Sequence, residues 1–188
     1  MRITGGTWRG RTIRVPGSGV RPSQDLLRQG VFSALGAAVE GARVLDLFAG
    51  SGAYGLEALS RGAEAAAWVE RDRRTFAVLR ANVAALCGEA TARARCRCGD
   101  AARLATLALP AGPCDILFAD PPYEDTRRFG LLARTLRDWA ASGLAAPEAL
   151  AVFEQSARDP AAEVPGWTLL RDRPVGDSRW LLYRRAAP

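Results

Sequence analysis

From residue 43 onward, short apolar runs alternate with stretches of helical spacing, and this rhythm constrains the fold more than any other feature of the chain. Arg43–Ala49 reads as an apolar strand, and Ala53–Arg61 as a helix followed by Gly62 in the position of a C-terminal cap. Ala66–Glu70 is a second strand, and Asp72–Leu86 a helix with Phe76, Leu79 and Val83 on one side. Arg95–Gly99 is a third strand. Asp115–Ala119, Phe129–Ala141 and Leu150–Glu154 continue the series as strand, helix and strand. Such alternation predicts βαβ units and a parallel sheet covered on both faces. The end differs: Trp167–Arg171 and Arg179–Arg184 flank the turn-forming Pro174–Asp177 and are predicted to pair antiparallel.

Residues 1–40 stand apart as a basic extension of a core at 41–188 within one domain. Ile3–Gly6 and Arg11–Val15 are expected to form a small hairpin around Gly10. Pro22 then opens a helix carrying Leu27, Val31, Phe32 and Leu35. With 188 residues, 48% of them hydrophobic, the chain can bury a sizeable core. No apolar run approaches the roughly 18 residues needed to span a membrane. Met1–Gly6 lacks the apolar stretch of a signal peptide, so a cytoplasmic location is expected.

All 26 basic residues are Arg, and there is no His, which excludes His-based triads, general bases and metal ligands. Cys87, Cys96, Cys98 and Cys114 lack the paired C-x-x-C spacing of a zinc site and read as plain buried thiols, with no metal expected.

Gly50-Ser51-Gly52-Ala53-Tyr54-Gly55 matches G-x-G-x-x-G between a strand and a helix, where backbone can approach a ligand at a helix N-terminus. Phe48, Ala49, Gly50, Ser51 and Gly52 are therefore candidate cofactor contacts. Asp46, just before the turn, would be an awkward neighbour for a dinucleotide pyrophosphate. It suits the cationic amino and sulfonium part of S-adenosylmethionine, although an Asp here can also simply cap the next helix. Glu70 ends the second strand and can accept from both ribose hydroxyls. Asp100 follows the third strand, placed to meet an adenine amino group or to start a helix; Arg71 and Ala101 are adjacent edge contacts.

Asp120-Pro121-Pro122-Tyr123 follows the apolar strand Ile116–Ala119 and is the most specific signal in the chain. An exocyclic amine on a nucleobase is a poor nucleophile because its lone pair is delocalised into the ring. A carboxylate and a backbone carbonyl that each accept one of its N–H groups free that lone pair. Proline fixes φ and holds the carbonyl rigid, and Tyr123 offers a π-face for stacking. At the other end of the chain, Arg2, Trp8, Arg9, Arg11 and Arg21 form a basic segment with an interleaved aromatic, suited to phosphate contact and stacking. Arg127 and Arg128 would lie beside the acceptor loop and hold the flanking backbone.

At these residues the chain resembles the RsmD family of bacterial small-subunit rRNA (guanine-N2) methyltransferases. Arg2–Arg11, reading RITGGTWRGR, is similar to the family's opening segment. Arg21–Arg28 with Phe32 is similar to its R-P-T-x-D-x-x-R helix, and Val44–Ala63 to its cofactor segment. The resemblance implies a Rossmann-like, mostly parallel sheet of seven strands with S-adenosylmethionine across its C-terminal edge. It further implies that Asp46, Gly50 and Gly52 serve the methionine side and turn, Glu70 the ribose and Asp100 the adenine. Asp120, the Pro121 carbonyl, Pro122 and Tyr123 would hold a guanine N2. The implied partner is 16S rRNA in a 30S subunit or assembly intermediate, met by a monomer. Ser23, Gln29 and Ser33 depart from the family pattern, and Gln29 is expected to alter contacts of the first helix near the cofactor. An adenine-N6 methyltransferase acting on DNA or RNA would use the same acceptor loop. A NAD(P)-dependent oxidoreductase would share the glycine turn, and a non-catalytic RNA-binding module the fold.

Overall fold

A computed structural model describes residues 1–16, 22–88, 93–107, 112–122, 124, 126 and 130–187. The chain folds as α1 (Pro22–Leu35), β1 (Arg43–Leu47), α2 (Ala53–Ser60), β2 (Ala65–Glu70), α3 (Arg73–Cys87), β3 (Ala94–Cys98), β4 (Cys114–Ala119), α4 (Leu131–Ala141), β5 (Ala145–Ser156), β6 (Trp167–Val175) and β7 (Ser178–Arg185). Short 3-10 helices occupy Gly36–Val39 and Ala101–Thr106. The strands form one seven-stranded sheet in the order β3-β2-β1-β4-β5-β7-β6. β1 to β5 run parallel, and β7 runs antiparallel to both β5 and β6.

Each helix boundary has a local cause. Gly62, at φ +98°, ends α2: its N–H donates to the Leu59 carbonyl and that of Ala63 to Ala58, the paired bonds of a left-handed glycine cap. Asp72 caps α3, its carboxylate accepting from the Thr75 N–H at 2.8 Å. β1 stops at Leu47, two residues before the expected end, because Phe48 adopts φ +55° and leaves the extended region.

The sheet separates two apolar layers. One face carries Val44, Trp68, Ile116, Phe118, Val152 and Leu182, covered by α1, α2 and α3 through Val31, Phe32, Leu56 and Leu79. The other carries Leu45, Val69, Leu117 and Phe153, covered by α4 through Leu132, Leu136 and Trp139. Ile3 and Ile13, each 1% exposed, belong to the first layer, so the N-terminal extension shares the core of the sheet.

Several expectations need correction. The N-terminal segments pair through a single bridge, Arg2 with Thr12, flanked by bonds such as Ile3 N–H to the Arg11 carbonyl, rather than through a hairpin of two strands. β5 starts at Ala145, not Leu150. Its pairing with β4 jumps from Cys114↔Ala145 to Ile116↔Leu150, and the extra residues are accommodated by Glu148 at φ +56°. β6 runs on through Pro174, which an edge strand tolerates because one side of it needs no donor. The turn is therefore only Gly176-Asp177. Cys98 is exposed on the other edge strand, whereas Cys114 is buried. The start of the helix expected at Phe129 lies outside the described residues; α4 begins at Leu131 behind Gly130 at φ +55°. Among the described residues no helix is long and apolar enough to cross a membrane.

Candidate active site

Side chains alternate between the two faces of a sheet, and on one face four neighbouring strands end the same way. Reading outward, β1 presents Val44 then Asp46, β2 Trp68 then Glu70, β4 Phe118 then Asp120, and β5 Val152 then Glu154. Four acids thus converge at the C-terminal edge of the parallel strands, where βα loops form ligand crevices in open sheets of this kind. Glu70, Asp120 and Glu154 border a cleft of about 620 Å³, lined also by Phe48, Ala101 and Pro121 and roofed by the Val175–Ser178 hairpin. An inner recess of about 180 Å³ adjoins it, reached by Asp46, Gly50, Tyr54, Asp120 and Glu154 and by Arg28 from α1.

The glycine turn divides its labour. Gly50, at φ +54°, faces open space, and its N–H donates to Glu70 Oε2 at 2.9 Å. Gly52 and Gly55 instead make room for Trp68. A side chain on Gly52 would strike Leu79, and one on Gly55 would enter the Trp68 indole, whose Nε1–H donates to the Gly52 carbonyl at 3.2 Å. Gly52 therefore shapes the turn from beneath and is absent from the cleft lining. Phe48 holds the left-handed conformation without being glycine, at a cost of roughly 1–2 kcal/mol. Backbone strain of this kind concentrates at functional sites, and here it turns Phe48 and Ala49 towards the recess.

The acids differ in environment. Asp46 is 3% exposed, and burial pushes its carboxyl up to about 8, with Glu70 adding to the rise while hydrogen bonds from the Gly55 N–H (3.0 Å) and Trp68 oppose it. Asp46 thus does cap α2 while also bordering the recess. The Asp120 carboxyl is raised well above the ordinary range, first by burial and then by the charges of Glu154 and Asp46. Glu70 accepts backbone N–H bonds from Gly50 and Asp72, one at each oxygen. Asp100 caps the following 3-10 helix through Ala102 N–H at 3.0 Å and faces Arg103; its neighbour Ala101, not Asp100, lines the cleft. Arg71 lines the cleft from its exposed position after β2. Ser51 borders the recess and its carbonyl accepts from Asn82 Nδ2. In the acceptor loop, Pro121 is buried, and the Pro122 carbonyl accepts the Thr126 N–H at 3.1 Å. Tyr123, Arg127, Arg128 and Arg21 lie outside the described residues.

The N-terminal segment is bolted to α2 beside the recess. Glu57, fully buried, accepts from the Thr4 N–H and Oγ1 (2.8 Å each), from Arg61 Nε (2.9 Å) and from Arg28 Nε (3.3 Å). Arg28 also donates to the Arg2 carbonyl at 2.6 Å and to Asp25 at 2.9 Å. The paired glycines Gly5 and Gly6 press on Arg61 and Ser60, and a Cβ on Gly6 would collide with the Ser60 carbonyl. Trp8 is half-buried against the core, with its N–H on Ser60 Oγ, and Arg11 donates to the Ala85 carbonyl near the end of α3. Arg2 and Arg9 are exposed. Gln29 and Ser33 are exposed away from the cleft lining, which corrects the expectation that Gln29 shapes contacts there; Gln24 of the same helix lines both chambers.

Glu154, Gln24, Tyr54 and Arg28 are members of the site that motif reading passed over. For Glu154 a signal existed: it stands two positions beyond an apolar residue on the same face of β5, as Asp120 does at the end of β4.

A glycine turn after β1, acids at the ends of β1, β2 and β4, and the strand order β3-β2-β1-β4-β5-β7-β6 give the Rossmann-like fold of the class I methyltransferases. A family model described as "Conserved hypothetical protein 95" matches residues 1–184. Ribosomal RNA small subunit methyltransferase D of Escherichia coli K12 is 40% identical over 190 aligned positions, covering 100% of this chain and 91% of the relative. A putative rRNA methyltransferase, YlbH of Bacillus subtilis, is 37% identical over 70% of this chain and 72% of its own. Among solved structures, the putative methyltransferase yhhF from E. coli superposes with a TM-score of 0.85 at 38% identity, covering 100% and 99% of the two chains. The chain belongs to the RsmD family.

Proposed function

We propose that this chain methylates the exocyclic N2 of a guanine in 16S rRNA, using S-adenosylmethionine, in the cytoplasm and on a 30S subunit or its assembly intermediate. The observation that carries the reading is the row of acids at one sheet edge, with Asp120 desolvated beside the glycine turn. The names of the relatives, rRNA methyltransferases, support an RNA substrate.

The donor set fits the cofactor. A cleft and recess rimmed by Asp46, Glu70, Asp120 and Glu154 call for a cation, and a ligand carrying ammonium and sulfonium charge meets that need. Asp46 and the Gly50–Ser51 backbone would hold the methionine side, Glu70 the ribose, and Phe48, Arg71 and Ala101 the adenine end. When bound, the cofactor supplies an electrophilic methyl group. Asp120 would accept one N–H of the target amine and the Pro121 carbonyl the other, which would free the nitrogen lone pair and orient it for methyl transfer. As the nitrogen takes the methyl group, the methyl–sulfur bond would break and the spent cofactor leave as a neutral thioether; the amine, now cationic, must lose a proton, and Asp120, whose burial raises its proton affinity, would take it. Tyr123 would stack on the base, and Arg2, Arg9, Arg11 and Arg21, with Arg127 and Arg128, would contact backbone phosphates.

Incubation with methyl-labelled S-adenosylmethionine and either naked 16S rRNA or 30S particles, followed by digestion to nucleosides, tests this. N2-methylguanosine at a single position is expected. Label in N6-methyladenosine, or none in RNA, would overturn it.

A further inference from the structure

We infer that Glu154 selects guanine over adenine, by accepting the N1–H of a base whose N2 amino group is held by Asp120. The inference rests on the guanine-N2 reading above. Ala119 pairs with Phe153 across β4 and β5, so Asp120 and Glu154 are the next neighbours along two parallel strands, whose backbones lie about 4.8 Å apart. Alternation sends both side chains to the same face, and both border the cleft and the recess. Glu154 is only 7% exposed, so it is not a solvated charge at a strand end. Its field reaches Asp120 and the Tyr54 hydroxyl, and it contributes to raising both.

Like charges in a desolvated site disfavour each other, and a base that donates to both acids offsets that repulsion. Holding an amine needs only Asp120 and a carbonyl. Guanine, however, presents two donors side by side, N1–H and N2–H, and two adjacent carboxylates match them. Adenine presents an N1 lone pair beside its amine, so Glu154 would face it acceptor to acceptor. Sites built around a polar edge reject analogues that leave a buried group unpaired far more strongly than apolar pockets reject a change of size.

The test uses RNA or reconstituted particles carrying guanine or 2-aminopurine at the mapped position. 2-Aminopurine keeps the N2 amine but has a lone pair at N1. Wild-type enzyme is expected to favour guanine by about 100-fold or more in kcat/KM. Glu154→Gln can offer its amide N–H to the N1 lone pair, so the preference should fall at least tenfold, and affinity for the 2-aminopurine RNA, read from its own fluorescence, should rise. Glu154→Asp, which keeps the charge, should turn over more slowly but retain the preference for guanine, and it guards against a folding defect in the Gln variant. An unchanged guanine preference in Glu154→Gln, with cofactor affinity intact, would overturn the inference. If wild-type enzyme places no methyl on guanine N2, the functional reading fails and takes this inference with it.

Discussion

Asp120→Ala is expected to lower methyl transfer by on the order of 10³-fold while leaving cofactor affinity within a few-fold. The asymmetry follows from position. Asp120 borders both the cleft and the recess, but the turn, Asp46 and Glu70 lie one and two strands away and keep their own hydrogen bonds without it. On the proposed mechanism, removing it would take away an acceptor for the target amine and a destination for its proton. Asp120→Asn separates these roles, because an amide oxygen still accepts an N–H but takes up no proton. Single-turnover rates beside calorimetric binding of S-adenosylhomocysteine make the comparison. Equal turnover in the Ala variant would remove Asp120 from the chemistry.

Glu57→Ala should be the most destabilising single change. Arg28 and Glu57 are 2% and 0% exposed as a pair, and Thr4 depends on the same carboxylate for two hydrogen bonds. Truncating one partner of a buried pair costs about 3–5 kcal/mol, and without Glu57 the buried Arg28 keeps only the partly exposed Asp25 as a counter-charge. In a chain of this size, each kcal/mol lowers Tm by roughly 2–4 °C, so a fall on the order of 10 °C is expected by calorimetry or circular dichroism. Because Arg28 also borders the recess, cofactor affinity should fall with it. A partner at the surface behaves differently: Asp25, 32% exposed, should cost far less when replaced by Ala. A Tm for Glu57→Ala within about 2 °C of wild type would mean that the network does not anchor the N-terminal segment.

How much of this was legible in the sequence depends on how local the cause is. β1, β2 and β4 are short apolar runs ended by chemistry that acts within a few residues, such as the Gly50 turn and Pro121, and they fall close to where periodicity puts them. β5 extends past its apolar run Leu150–Glu154 because its first half passes through Pro147 and Glu148, an irregularity imposed by pairing with β4 rather than by propensity. The same limit applies to the site. Asp46, Glu70 and Asp120 stand beside glycine or proline signals, whereas Glu154 has none and is identified only when β5 is laid against β4. Gly52 looked like a ligand contact, yet its reason is Trp68, sixteen residues on and reached only through the pairing of β1 with β2. Arg28 sits in an amphipathic helix and Glu57 in one buried almost all round, and nothing local says they will meet 29 residues apart in the core. Gln29 shows the converse: its neighbour Arg28 is satisfied by Glu57 and Asp25, so the missing charge at 29 costs the cleft nothing visible.

The claim that joins fold to function is that four strand-end acids prepare one cleft for a cationic methyl donor. Proton linkage tests it directly. In the free protein Asp46 holds its proton up to about pH 8, well above its unfolded value of 3.8. A raised carboxyl stabilises the fold fully below the unfolded value, and that contribution is lost as pH rises through about 8. A bound cation favours the ionised form instead, so binding must release protons below about pH 8 and tighten as pH rises towards it. Calorimetric titration with S-adenosylmethionine in two buffers of different ionisation enthalpy, at several pH values, reads both effects, and Asp46→Asn should diminish the proton release. Tightening with pH and net proton release are the predicted results. Affinity that is flat with pH and accompanied by no proton exchange would contradict the account.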